Sequence, residues 1–159
     1  MMRVESESAQ SRKVISELRD TALKLLARRE HSRFELSQKL QKISGQLEAI
    51  EFLLDELSEK NYLSDLRFAE SYIRMRMHKG MGPVKIRYEL RQRGVDEQLI
   101  AQTILQAIDW EELLQELCEK RQHNGAPLDK NEHEKQIRFW LQRGFDYEQI
   151  RRVLSRRPV

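Results

Sequence analysis

Cysteine is almost missing: Cys118 stands alone in 159 residues. An internal disulfide framework is therefore excluded, and a reducing, cytoplasmic setting is expected. Proline (3) and glycine (6) are scarce, so little in the chain interrupts a helix. Aromatic residues make up 7% of the chain, which predicts small cores and a large solvated surface. No apolar run approaches the ~20 residues that span a bilayer. The opening MMRVESESAQ is polar and acidic, without the apolar centre of a secretory signal. Strand-like alternation is missing as well; apolar residues recur at spacings of three and four.

What the chain has is an internal register of fifty residues. With Ser44, Gly94 and Gly144 taken as one position, four sets of residues align without a gap. They are Leu36, Ile86 and Gln136; Leu40, Leu90 and Trp140; Ile50, Ile100 and Ile150; and Leu54, Ile104 and Leu154. A period of this size points to a repeat architecture. The expected fold is all-α, with three tandem three-helix (helix-turn-helix-like) repeats in an elongated, curved array. The repeats are placed at 12–61, 62–108 and 109–157, after a mobile polar tail at 1–11. Units of about 50 residues bury too little surface to stand alone, so each is expected to pack on a neighbour or a partner.

Helix-start signals recur in the same register. Ser32 with Glu35 forms a capping box, and Gly82-Pro83 places Pro at a first helical position. Asp96 and Asp146 are expected to cap the third helices of units two and three. Val95 with Ile100 and Phe145 with Ile150 then act as hydrophobic staples. Ser64 (with Leu63 and Phe68) and Asp109 (with Ile108, Glu112 and Leu113) repeat the arrangement. Gly80, Gly94 and Gly144 mark helix ends. Leu18, Ala22 and Leu25 are expected to line the first helix of unit one, and Phe68, Tyr72 and Met75 the same places in unit two. In unit three Cys118 is in register, but Gln122 and Gly125 are not. The stretch Gln122–Glu132 (QHNGAPLDKNE) is the best linker candidate.

The residues offer no catalytic constellation. The four histidines (31, 78, 123 and 133) are scattered, and Cys118 with His123 and His133 matches no standard zinc spacing. Gly80-Met81-Gly82-Pro83 lacks the Gly-Lys-Ser/Thr ending of a phosphate loop. No catalytic residue, metal or cofactor is expected.

Charge is more informative, because the net +3 conceals blocks of opposite sign. Residues 67–93 carry eight Lys/Arg against two Glu, whereas 96–119 carry seven acids and no Lys/Arg. Residues 135–159 carry seven Lys/Arg against two acids, and 46–66 carry six acids against one Lys. On the helix starting at Pro83, Ile86 and Leu90 are expected to face the core, with Arg87 and Arg91 on a flank. The turn Lys79–Pro83 could bring Arg74, Arg76, Lys79, Lys85, Arg87, Arg91 and Arg93 into one patch suited to phosphates or acidic protein. Arg138, Arg143, Arg151 and Arg152 complete the candidate set in unit three. Base-specific readout is disfavoured. The final helix of unit two opens with Asp96-Glu97, that of unit one carries Glu48, Glu51, Asp55 and Glu56, and only that of unit three is basic (Arg151, Arg152, Arg156 and Arg157).

Four stretches carry a family resemblance: LARREHSRFELSQKL at 26–40, YLSDLRFAESYI at 62–73, KGMGPVKIRYELRQRGV at 79–95 and RFWLQRGF at 138–145. Their most specific parts are Tyr62-Leu63-Ser64-Asp65 with Arg67-Phe68-Ala69, and Lys79-Gly80 with Gly82-Pro83 and Ile86. Across roughly residues 18–157 the chain resembles the RecX family of bacterial recombinase regulators. The resemblance implies a non-enzymatic protein that binds the groove of the RecA–single-stranded-DNA filament. It further implies damped ATP hydrolysis, strand exchange and co-protease activity. The implied partner is the RecA nucleoprotein filament, with weak binding to single- and double-stranded DNA, no membrane contact and a monomeric state. The alternatives are a general DNA-binding helix-turn-helix protein and a helical adaptor scaffold for another protein.

Overall fold

The computed structural model describes residues 2–121 and 128–156, and every regular element in them is an α-helix. In chain order these are α1 (Met2–Arg28), α2 (Arg33–Gln41), α3 (Leu47–Glu59), α4 (Asp65–His78), α5 (Pro83–Gln92), α6 (Glu97–Ala107), α7 (Trp110–Arg121), α8 (Lys130–Gln142) and α9 (Tyr147–Ser155). They read as three trios, each ending in a helix-turn-helix. Packing divides the chain differently, into two compact units. The first runs through Ala69 and includes Arg93–Val95; the second holds Glu70–Gln92 and the chain from Asp96 onward.

The fifty-residue register is the core. All twelve aligned positions are buried, from Leu36, Leu40, Ile86, Leu90, Ile100 and Ile150 at 0% exposure to Gln136 at 8%. In the first unit Leu18 and Ala22 of α1 join Leu36, Leu40, Ile50, Leu53, Leu54, Leu57 and Leu63, with Leu25 partly buried against them. In the second unit Gln136 keeps an apolar place because its side-chain oxygen accepts the Trp140 indole N–H at 3.2 Å, one helical turn away. The Trp140 ring then meets Phe145 edge-on, with centroids 5.8 Å apart.

The expected caps form. Ser32 Oγ accepts from the Glu35 amide, and the Glu35 carboxylate accepts from the Ser32 amide, closing the box. Asp96 and Asp146 accept from the first-turn amides of α6 and α9, and Asp109 from those of α7. Gly80, Gly94 and Gly144 have φ of 75°, 75° and 94°. Unit one departs from this pattern: Gln46 gives α3 no side-chain cap.

Two expectations are corrected and a third gains structure. Residues 2–11, expected as a mobile tail, form the first turns of α1. With no Gly or Pro before Arg28, and with Ala, Glu, Gln and Arg among them, nothing ends the helix there. Met75 does not line the core, being 43% exposed; Ala69 and Ile73 of α4 are buried instead, which rotates the apolar stripe of that helix. The linker ends earlier than expected, because Asp129 caps α8 through the Glu132 amide and so brings Lys130–Glu132 into the helix. Gln122, His123, Gly125 and Arg157 lie outside the described residues.

Successive trios meet through one joint, built twice. In the first unit, Ser32 Oγ donates to the Arg93 carbonyl at 2.7 Å, and Gly94 lies against Phe34 at the start of α2. In the second unit, the Gly82 and Val84 amides at the start of α5 donate to the Arg143 and Gly144 carbonyls, at 2.7 and 2.9 Å. Ser32 and Gly82 share a register position, as do Arg93 and Arg143. Each joint sets the start of one trio's second helix against the turn that ends the same helix in the next trio. At the second joint unpaired amides at a helix start thereby meet unpaired carbonyls at a helix end, and at the first a hydroxyl takes the amides' place.

Candidate functional site

The candidate cations separate into three groups once their surroundings are resolved. Arg76, Arg93 and Arg143 serve internal contacts. Arg76 Nη2 lies 2.7 Å from the Glu89 carboxylate, which also accepts from the Tyr72 hydroxyl at 2.8 Å. The Arg76 and Glu89 side chains are only 16% and 15% exposed. Arg93 pairs with Glu35 at 3.6 Å, and its carbonyl receives the Ser32 hydroxyl. Arg143 Nη1 donates to the Lys79 carbonyl at 3.3 Å. The Lys79–Pro83 turn therefore receives the Arg143–Gly144 segment.

The second group is exposed but answered by the chain's own acids. Arg87 and Arg91 converge on Glu97, at 3.8 and 2.8 Å. The hydrogen bond between Arg91 and Glu97 holds the Glu97 carboxyl below its ordinary range and the guanidinium above its own. Arg151 pairs with Glu148 at 3.0 Å and Arg152 with Glu111 at 3.1 Å. Solvated pairs of this kind add little to stability and exchange readily.

Arg74, Lys79, Lys85 and Arg138 form the third group, with no ion pair among the described residues. Arg74, Lys79 and Arg138 are exposed, whereas Lys85 is half-buried. Arg74 and Lys79 are five residues apart and do not share a helix face.

Several residues escaped the sequence reading. Glu35 organises the first joint: its carboxylate receives the Ser32 amide and pairs with Arg29 at 3.1 Å as well as with Arg93. His31, grouped above with scattered histidines, is 1% exposed. Its Nδ1 lies 3.1 Å from the Arg29 carbonyl and its Nε2 2.9 Å from Lys39 Nζ. An ammonium only donates, so Nε2 accepts and Nδ1 carries the proton: the ring is neutral. Burial pushes its pKa down. Val84 and Tyr88 of α5 are 56% and 57% exposed, beside Arg87 and Arg91. Their spacing of four, opposite Ile86 and Leu90, was the available signal.

An open groove along α2, of about 670 Å³, is lined by Glu35, Gln38, Lys39, Gln41 and Lys42. No group of three His, Cys, Asp or Glu among the described residues could hold a metal ion. No described helix is long and apolar enough to cross a membrane.

Comparison with known proteins agrees with the repeat register. Models of the first, second and third three-helix domains of RecX match residues 19–57, 64–104 and 109–154. The regulatory protein RecX of Pseudomonas entomophila (strain L48) is 43% identical over 143 residues, covering 89% of this chain and 92% of that protein. The regulatory protein RecX of Pseudomonas savastanoi pv. phaseolicola is 43% identical over 141 residues, covering 88% and 91%. The crystal structure of RecX from Lactobacillus salivarius superposes with a TM-score of 0.78 at 25% identity, covering 90% of this chain and 96% of that one. With three domain models in order and relatives matched over nearly their whole length, the chain belongs to the RecX family.

Proposed function

We propose that this chain is a non-enzymatic modulator, mainly an inhibitor, of the RecA recombinase. It binds in the groove of the RecA–single-stranded-DNA filament and damps ATP hydrolysis, strand exchange and co-protease activity. The carrying observation is the match of all three RecX domain models in register along the chain. Small repeated helical units are built to bind along their surfaces, which suits a ligand of a filament better than a catalyst. A binder that contacts neighbouring protomers and prefers one of their states opposes the rearrangement that hydrolysis requires. It acts as a cytoplasmic monomer and touches free single- or double-stranded DNA only weakly.

Arg74, Lys79, Lys85, Arg87, Arg91 and Arg138 are the cations proposed to face the partner. Arg151 and Arg152 follow once their carboxylates are displaced. The test is RecA's DNA-dependent ATPase, titrated with purified protein. Saturating protein should suppress it, and affinity for the filament should exceed that for the same DNA without RecA across a salt series. An unchanged ATPase at saturation would overturn the inhibitory mechanism. Equal affinities with the same steep salt dependence would point to general DNA binding.

A further inference from the structure

We infer that the solvent face of α5 grips an acidic protein surface and that Glu97 is a built-in competitor for its arginines. This inference rests on the filament-binding reading and assigns that binding to one helix. Ile86 and Leu90, both fully buried, anchor α5 from one side. On the other side Val84, Tyr88 and Arg91 follow one another at spacings of four and three, a single stripe on the helix surface. Val84 and Tyr88 leave more than half of their surface in water, although both carry apolar area that burial would stabilise. Tyr and Arg are also the side chains that most often dominate interface energetics.

The arginines show which chemistry they are set to receive. Arg87 and Arg91 already converge on one carboxylate, that of Glu97, with all three side chains roughly half exposed. A geometry that holds one carboxylate in water can hold another in a drier interface, where the pairing counts for more. Glu97 would then be displaced. Lys85, Arg87 and Arg91 outnumber Glu97, so the face keeps a positive charge for an acidic partner. Protein is favoured over nucleic acid because an apolar Val84–Tyr88 pair at helical spacing fits an apolar recess with an acidic rim.

The experiment measures binding of the full chain, of Tyr88→Ala and of Glu97→Gln to two probes. One is a RecA filament on labelled single-stranded DNA; the other is the same DNA alone. Circular dichroism checks that helicity is retained. Tyr88→Ala should weaken filament binding about tenfold and leave free-DNA binding unchanged. Glu97→Gln should tighten filament binding about threefold and steepen its loss with salt, because the arginines no longer have an internal partner. Unchanged filament affinity in both variants, with the parent chain binding normally, would overturn this assignment and leave the proposed function standing. Equal losses on free DNA for Tyr88→Ala would make the face a nucleic-acid surface and also overturn it. A parent chain that fails to bind the filament removes the proposed function and this inference together.

Discussion

The two inter-repeat joints share a register and differ in chemistry. At the first, a side chain does the bonding: Ser32 Oγ caps its own helix through the Glu35 amide and donates outward to the Arg93 carbonyl. At the second, backbone does most of it, with the Arg143 guanidinium adding a bond to the Lys79 carbonyl. Pro83 has no N–H to offer, and the amides of Gly82 and Val84 go directly to the Arg143 and Gly144 carbonyls. Both joints are nevertheless close: a Cβ on Gly82 would lie 2.5 Å from the Gly144 oxygen, and a Cβ on Gly94 would collide with the Cβ of Phe34. The first joint is closed against the root of a side chain and the second against backbone.

That contrast predicts unequal costs for equal substitutions. Gly144→Ala should be the most damaging. Its φ of 94° disfavours any side chain, and its Cβ would collide with the Cβ and backbone nitrogen of Lys85. Backbone strain and overpacking together should cost about 3 kcal/mol in urea unfolding. Gly94→Ala carries similar backbone strain, and its Cβ would collide with the Cβ and Cγ of Phe34, which ring rotation alone does not clear, so a loss of about 2–3 kcal/mol is expected. Equal losses at the two glycines would show that the joint closed on a side chain is as tight as the one closed on backbone.

Ser32→Ala should come next, at about 1–2 kcal/mol, because it removes a helix cap and leaves the Arg93 carbonyl without its donor. The second joint has no corresponding hydroxyl, since its helix-start donors are the Gly82 and Val84 amides. A loss of less than about 0.3 kcal/mol would mean that this hydroxyl contributes little to the first joint.

Acid should separate the joints more gently. His31 precedes Ser32, and its neutral ring faces Lys39 and Arg29, with Glu35 the nearby acid. The folded pKa is lowered, so the unfolded chain takes up the proton first as pH falls. The contribution of His31 is complete above the ordinary histidine value of about 6.5 and declines below it toward the folded pKa. Stability should therefore fall on acidification through that window, and His31→Gln should flatten the slope. Parallel pH profiles for the two proteins would show that His31 does not set the dependence.

Much of the fold was legible because its signals are local. The twelve register positions, the Ser32 box, the Asp96 and Asp146 caps and the left-handed glycines all depend on residues within a few positions of one another. Gln136 looked out of place in an apolar row until the indole one turn away was seen to use it. The overextended α1 and the exposed Met75 went unread because polar helix formers send no stop signal and a stripe can rotate within a helix.

The site was less legible, because charge along a chain does not reveal which charges meet. Arg87, Arg91 and Glu97 are close in sequence, yet their convergence required the α5–α6 turn to fold them together. Arg152 and Glu111 are 41 residues apart, and Ser32 and Arg93 are 61 apart. By itself the sequence determined where helices start, which faces they bury and that the pattern recurs every fifty residues, since helix periodicity and capping act over one or two turns. Only the tertiary structure decided which cations are committed internally, which remain available, and why Gly82 must be glycine. Those outcomes depend on backbone and side chains brought together from distant parts of the chain.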